Sequence, residues 1–166
     1  MKIYLMRHSL AQPLTETAML DDESRQLTPD GEARAHLMGR ALKRLGIKPQ
    51  TIWCSPLIRA QQTARIVALE LGEPFLVDTK PVLKPGMSAS AFLDFLRDNP
   101  CPTVLAVGHQ PDIGDIVSFL LWDLVGARFP VQEGCVIGLD APNVASREKI
   151  RMELLLSPEM AERIAR

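Results

Sequence analysis

Three times in this sequence a short, β-rich apolar run stops and an arginine or histidine follows within a few residues. Ile3-Tyr4-Leu5-Met6 ends in Arg7-His8. Thr51-Ile52-Trp53-Cys54 leads into Ser55-Pro56-Leu57-Ile58-Arg59-Ala60. Thr103-Val104-Leu105-Ala106-Val107 leads into Gly108-His109. Strands alternating with helices build an α/β sheet, and open sheets of that class collect ligands beyond the carboxyl ends of their strands. Two arginines and two histidines delivered to one such edge suit a phosphoryl group as guest.

The segments between the runs read as helices. Thr28-Pro29 supplies a hydroxyl N-cap and a proline at the first helical position, with Asp30 and Glu32 in the first turn. Ala33, Leu37, Ala41 and Leu45 recur at helical spacing, and Gly46 ends the pattern. Ser55-Pro56 opens a second predicted helix reaching Leu71-Gly72. Phe75-Leu76-Val77 reads as a short strand and Pro81 to Gly86 as a turn-rich loop. Ser88 or Ser90 caps a helix through Leu96, and Pro111-Asp112 starts another to about Leu124. Cys135–Leu139 and Ile150–Leu156 are two late strands joined by a polar connection, and Ser157-Pro158-Glu159 opens a last helix. This order predicts a three-layer α/β/α sandwich with a mainly parallel central sheet, in one domain spanning residues 1–166.

Composition narrows the class further. A chain of 166 residues fits one sizeable core. The net charge of -1 gives no broad attraction to nucleic acid or anionic membrane. The three cysteines, Cys54, Cys101 and Cys135, are odd in number and widely spaced. Cys54 and Cys135 sit in apolar runs and read as small buried hydrophobes, in keeping with a reducing compartment. The first apolar run is cut by Arg7, far short of the ~7–15 residues of a signal-peptide core. Ile116 to Val125 is broken by Asp123 and followed by Arg128, too short to span a bilayer. A soluble cytoplasmic protein is the expectation. The three histidines show no ligand spacing for a metal, and no Gly-rich Walker-type loop precedes a helix, so neither a metal nor a nucleotide cofactor is expected.

The ordered motifs resemble the histidine phosphatase superfamily, also called the phosphoglycerate-mutase-like fold. That family opens with strand-Arg-His-Gly or Ala; here Ser9 takes the third place. Its Leu-Thr-x-x-Gly element appears as Leu27-Thr28-Pro29-Asp30-Gly31. Its Cys/Ser-Ser-Pro-x-x-Arg-Ala-x-Gln-Thr-Ala block appears as Cys54 through Ala64, and its Gly/Ser-His as Gly108-His109. The match runs in order from residue 1 to about 120. The resemblance implies His8 as nucleophile and Arg7, Arg59 and His109 as the phosphate pocket. Independent chemistry agrees: a neutral imidazole can attack phosphorus, and arginines can fork two donors onto phosphoryl oxygens. Arg25 has two readings, a substrate-phosphate contact or a loop arginine paired with Asp21 or Asp22. Ser9 is either inert or crowds the nucleophile. Asp112 reads as a helix N-terminal acid and His36 as a surface or packing residue.

Branches acting on sugar or glycerate phosphates carry an acid after the third block, as proton donor to the leaving oxygen. Pro81-Val82-Leu83-Lys84-Pro85-Gly86-Met87-Ser88 contains none. An alkoxide leaving group needs such a donor; an imidazole leaves without one. The chain also has little length left for a lid. Shortness, the Leu83-x-Pro85-Gly86 turn and the missing acid resemble the SixA-type phosphohistidine phosphatases, so a phosphohistidine-bearing protein is the expected substrate and partner. An acid from Asp21, Asp22 or Glu23 reaching the pocket would instead fit a phosphatase or mutase for small phosphate esters. A non-catalytic phosphoprotein-binding module is the alternative of another class. Oligomeric state stays open, a monomer included.

Overall fold

In the computed structural model, residues 1–14, 22–74, 76–127 and 129–166 are described. Among them, six strands form one sheet in the order β3-β2-β4-β1-β5-β6. These are β1 (Lys2–Arg7), β2 (Thr51–Cys54), β3 (Val77–Thr79), β4 (Thr103–Gly108), β5 (Val136–Asp140) and β6 (Arg151–Leu156). β3, β2, β4 and β1 run parallel; β5 is antiparallel to β1, and β6 to β5. The expected mainly parallel sheet is therefore present, with an antiparallel pair added at one edge. Phe75, assigned to a strand from the sequence, lies outside the described residues; the strand starts at Val77.

Alternation along each strand makes the layers. Ile3, Leu5, Val104, Ala106, Ile137 and Leu139 face one way and meet α3 (Ala89–Asp98) and α4 (Asp112–Trp122). Met6, Leu105, Val107 and Val136 face the other way and meet α1 (Pro29–Arg44), α2 (Ile58–Leu71) and α5 (Pro158–Ala165). The central strand β4 is covered on both faces and buried at all but its first residue, which is why it reads as a continuous apolar run, whereas the edge strands β3 and β6 keep exposed positions. Cys54 and Cys135 are buried free thiols in these layers.

Helix starts follow their capping chemistry. Thr28 Oγ1 accepts the Gly31 N–H at 3.0 Å, Ser88 accepts from Ala91 and Ser157 from Met160, each satisfying a donor orphaned at a helix N-terminus. One start differs from the sequence reading. Ser55-Pro56 does not open α2, which begins at Ile58 after Leu57 with no side-chain cap. The Ser55 hydroxyl is engaged elsewhere, as described below.

Register decides what the sheet edge holds. Arg7 pairs with Gly108 across β1 and β4, and Cys54 with Val107 across β2 and β4. His8, His109 and Ser55 are each the next residue along the chain. The bonds His8 N–H to Gly108 O (2.9 Å) and Ser55 N–H to Val107 O (2.9 Å) extend the ladder by one step. Three chemically active residues therefore leave three adjacent strands at the same level.

Gly31 brings α1 against this edge. A Cβ there would sit 2.0 Å from the Leu10 carbonyl oxygen, so only glycine permits the close approach. Gly31→Ala is expected to push α1 off the 9–10 segment. The cost is about 1–3 kcal/mol, measurable as a lower denaturant midpoint with an unchanged slope, and phosphate affinity should fall with it.

Candidate active site

The site is assembled around His8, which is 6% exposed. Its Nδ1 lies 2.7 Å from the Ser9 carbonyl oxygen. A carbonyl only accepts, so Nδ1 carries the proton and the neutral ring has its lone pair on Nε2. Arg59 Nε donates to that Nε2 at 3.2 Å. The ring of His109 sits 5.0 Å from the ring of His8, centre to centre, tilted by 58°. Arg59 and His109 are each 3% exposed. Arg7 stands at the end of β1 with Nη1 donating to Val131 O at 2.9 Å and Nη2 3.4 Å from Glu133; its Nε is buried without a partner among the described residues.

The structure thus brings together His8, Arg59 and His109, with Arg7 preceding His8 in the chain. Arg25 takes its second sequence reading and also touches the site indirectly. Its Nε donates to Asp22 Oδ1 at 2.9 Å and its Nη1 to Gln12 O at 2.7 Å. The other oxygen of the same carboxylate lies 3.0 Å from Arg59 Nη2, and the Asp22 carbonyl accepts from Arg59 Nη1 at 2.6 Å. Asp22 therefore bridges the two arginines on a short 3-10 turn, Asp22–Ser24. Glu23 on that turn pairs with Lys84 at 2.5 Å. An acid of the Asp21-Asp22-Glu23 loop thus does reach the pocket: the turn is drawn onto Arg59 by an ion pair and a main-chain hydrogen bond. Asp21 lies outside the described residues.

Several motif residues that carried no assigned chemistry prove to build the nucleophile's seat. Ser9 is neither inert nor crowding. It is fully buried, its N–H donates to Thr63 Oγ1 at 3.1 Å, and its hydroxyl donates to Gly31 O at 2.7 Å. Thr63 in turn donates to Arg59 O at 2.7 Å. Gln62 accepts the Leu27 N–H at 2.8 Å. Asp112 heads α4 as expected, and its Oδ2 accepts the Gly86 N–H at 2.9 Å, tying down the loop before α3. His36 pairs with Glu70 at 2.7 Å, away from the site. The signal for Ser9, Gln62 and Thr63 lay in the motif itself; Asp22 was one of three loop acids that the sequence offered to the pocket, and Glu133 had no signal.

Both site histidines are neutral at physiological pH. Burial first, then the Arg59 and Arg7 charges, push His8 down to about 4. Burial, then His8 and Arg59, push His109 down to about 3. Burial acts to raise Asp22, but hydrogen bonds from Arg25 and Arg59 outweigh it and hold the carboxyl below its usual value. Fixed guanidinium donors beside a neutral nucleophile suit a tetrahedral oxyanion whose charge the arginines neutralise. The larger cavities lie elsewhere, one of about 420 Å³ beside Met1, Leu96 and Pro142 and one of about 430 Å³ beside Ile47 and Leu71. Chemistry rather than volume marks this site. Among the described residues no group of His, Cys, Asp and Glu is placed to hold a metal ion, and no helix is long and apolar enough to cross a membrane.

A buried neutral histidine flanked by arginines at the carboxyl edge of an α/β sheet is an arrangement suited to a phosphoryl group. Residues 3–83 match the family model for the histidine phosphatase superfamily, branch 1. The Haemophilus influenzae protein named phosphohistidine phosphatase SixA homolog is 33% identical over 142 residues, covering 79% of this chain and 81% of its own. Phosphohistidine phosphatase SixA of Escherichia coli K12 is 32% identical over 127 residues, covering 72% and 74%. A solved structure of the protein histidine phosphatase SixA complexed with tungstate superposes with a TM-score of 0.81 at 24% identity, covering 95% of this chain and 97% of that one. The chain belongs to the histidine phosphatase superfamily, in its SixA-type branch, and is a phosphatase of the hydrolase class.

Two outcomes follow from this geometry. Asp22→Asn removes a carboxylate that competes for Arg59, so inorganic phosphate should bind about two- to fivefold more tightly by calorimetry, the range set by a half-exposed ion pair. The histidines fix a pH dependence of stability. Their folded values lie below the unfolded value of about 6.5, so between about 6.5 and 4 the unfolded chain binds protons that the folded chain does not. Stability is fully present above about pH 6.5 and falls as the pH drops through that window. Chemical denaturation from pH 7.5 to 4 should show the loss, and His8→Gln should shrink it.

Proposed function

We propose that this chain removes the phosphoryl group from phosphohistidine on a protein, through a covalent phospho-His8 intermediate. The observation that carries the reading is the state of Asp22. It is a carboxylate at the pocket that the sequence left as a possible proton donor, and it is held ionised by two arginines. An ionised carboxylate has no proton to give an alkoxide. A leaving imidazole needs none at the bond that breaks and takes up a proton on its ring. The H. influenzae and E. coli relatives, both named for phosphohistidine phosphatase, support the same substrate class.

In the first step the His8 Nε2 lone pair attacks phosphorus. The substrate N–P bond breaks and its electron pair returns to the departing imidazole. His8 then carries the phosphoryl group on Nε2 and keeps its proton on Nδ1. The ring's positive charge is eased by the Ser9 carbonyl at 2.7 Å. Arg59, the unpaired Arg7 Nε and His109 hold the phosphoryl oxygens, and positioning with charge neutralisation does most of the work in such transfers. In the second step water attacks phosphorus, the His8 N–P bond breaks, and inorganic phosphate leaves. The substrate's imidazole belongs to a partner protein, and a cytoplasmic location goes with that role.

A reading as a phosphatase for small phosphate esters requires Asp22 to be protonated and turned from Arg59 toward a leaving oxygen. The two separate in one experiment. Purified chain is offered a phosphohistidine peptide and a panel of sugar phosphates, with His8→Ala in parallel. The peptide should be hydrolysed far faster than any ester, with acid-labile, base-stable phosphate trapped on the protein and absent in His8→Ala. Preferential turnover of esters would overturn the substrate assignment. Saturable binding without release of phosphate would make the chain a binding module.

A further inference from the structure

Ser55 is fully buried at the end of β2 and carries no charge. Its Oγ lies 2.7 Å from Nε2 of His109 and 3.3 Å from the Leu57 N–H, which donates to it. The other ring nitrogen of His109, Nδ1, is buried and has no partner among the described residues. Two arrangements of protons are open to this pair. If His109 carries its proton on Nε2 and donates to Ser55, the serine hydroxyl hydrogen is left in the interior with no acceptor. The Nδ1 lone pair is then unpaired as well. If Ser55 donates to Nε2, the hydroxyl is satisfied on both counts and the ring proton sits on Nδ1. Buried polar groups go unpaired only at a cost, so the second arrangement is preferred. It leaves one group waiting, an N–H donor on a ring 5.0 Å from that of the nucleophile.

We infer that Ser55 is a positioning residue: its hydroxyl donates to Nε2 of His109 and so fixes the Nδ1–H tautomer, presetting a neutral donor for a phosphoryl oxygen on His8. The function of this donor rests on the phosphoryl-transfer reading above. The tautomer itself rests on the hydrogen-bond geometry. The opposite tautomer would turn a lone pair toward a phosphoryl oxygen and repel it. Protonating both nitrogens would also supply a donor, but burial and the neighbouring cations keep the ring neutral. The tautomer therefore has to be set from outside, by an atom that can donate. At metal sites a hydrogen-bond partner on the far ring nitrogen fixes histidine tautomers in the same way. Here the partner is placed by the sheet: the Cys54–Val107 register and the Ser55 N–H to Val107 O bond set the serine level with the start of the His109 loop.

The test reads imidazole nitrogens by long-range proton–nitrogen NMR on the full chain, with His36→Gln and His109→Gln used to assign the signals. In the unsubstituted protein His109 should be protonated on Nδ1. In Ser55→Ala the two tautomers should mix or invert. Inorganic phosphate should then bind about tenfold more weakly, with phospho-His8 formation slowed by a similar factor. Ser55→Thr and Ser55→Cys, which keep a hydrogen to donate, should restore the Nδ1–H signal in whichever of them retains the parent melting profile. An Nε2–H signal in the unsubstituted protein overturns the inference, as does an unchanged tautomer in Ser55→Ala. The tautomer and the inorganic phosphate affinity are both read without a phosphohistidine substrate. Failure of the phosphohistidine peptide as substrate therefore strikes the proposed function alone, and a wrong tautomer strikes Ser55 alone.

Discussion

The bond from His8 Nδ1 to the Ser9 carbonyl is the interaction on which the site depends. It settles which nitrogen of the neutral ring carries the free lone pair, because an oxygen that only accepts leaves the ring no choice of tautomer. The carbonyl can do this only if the Ser9 peptide is itself immobile. Thr63 holds its N–H, and Gly31 accepts its hydroxyl. Thr63 sits on α2 one turn after Arg59 and also bonds the Arg59 carbonyl. The nucleophile and its nearest cation are thus referenced to the same threonine. α1 closes the arrangement from the other side through the bare backbone of Gly31. Motif residues far apart in the chain form one rigid seat for a single imidazole.

Electrostatics explain why that seat holds its shape before a substrate arrives. Buried guanidiniums need counter-charge, and bringing one into the interior alone would be costly. Asp22 supplies it to Arg59 and Arg25, and Glu133 stands beside Arg7. Each carboxylate is more exposed than the arginine it serves: the Asp22 side chain is 44% accessible against 4% for Arg59, and Glu133 34% against 25% for Arg7. An arriving phosphoryl dianion can displace them outward into water while the arginines stay fixed. The histidines respond oppositely to the same field. Cations and burial keep them neutral, so the nucleophile is ready without a base to deprotonate it.

How much of this is legible in the sequence depends on the range of the interaction. The strand runs other than β3, which starts at Val77 and ends at Thr79, the Thr28 and Ser157 caps and the residues at strand ends follow from local pattern, and the structure places them close to where they are read. The families of layers follow from alternation. Ser55 shows where local reading fails. Ser-Pro before an apolar helix looks like a cap, yet the hydroxyl lies closer to a histidine that is 54 residues away in the chain. No local signal reports that competition; only the pairing of Cys54 with Val107 does. Asp22 is a second case. Its loop is acidic and polar, and its place on Arg59 comes from the fold of α2 rather than from anything adjacent in sequence. Arg25 was legible as either a partner of Asp22 or a neighbour of the pocket, and it is both because one carboxylate serves two arginines.

The shape of the site bears on what can enter it. No large cavity accompanies the reactive cluster among the described residues, and the turn bearing Asp22 is seated on Arg59. An enzyme for a small metabolite gains specificity from a pocket that surrounds the whole molecule. Under the proposed function, recognition beyond the phosphoryl group would come from surface outside the cluster. A phosphoryl group on a projecting side chain would fit that arrangement, with the partner's own fold delivering it. Lys84 and Glu23 lie half-exposed beside the seated turn, so a partner that engages this rim would act on the segment that carries Asp22. On Arg59, Nη1 holds the Asp22 carbonyl and Nη2 its carboxylate while Nε faces His8, so a phosphoryl group bound beside His8 would compete with the seated turn for the same guanidinium.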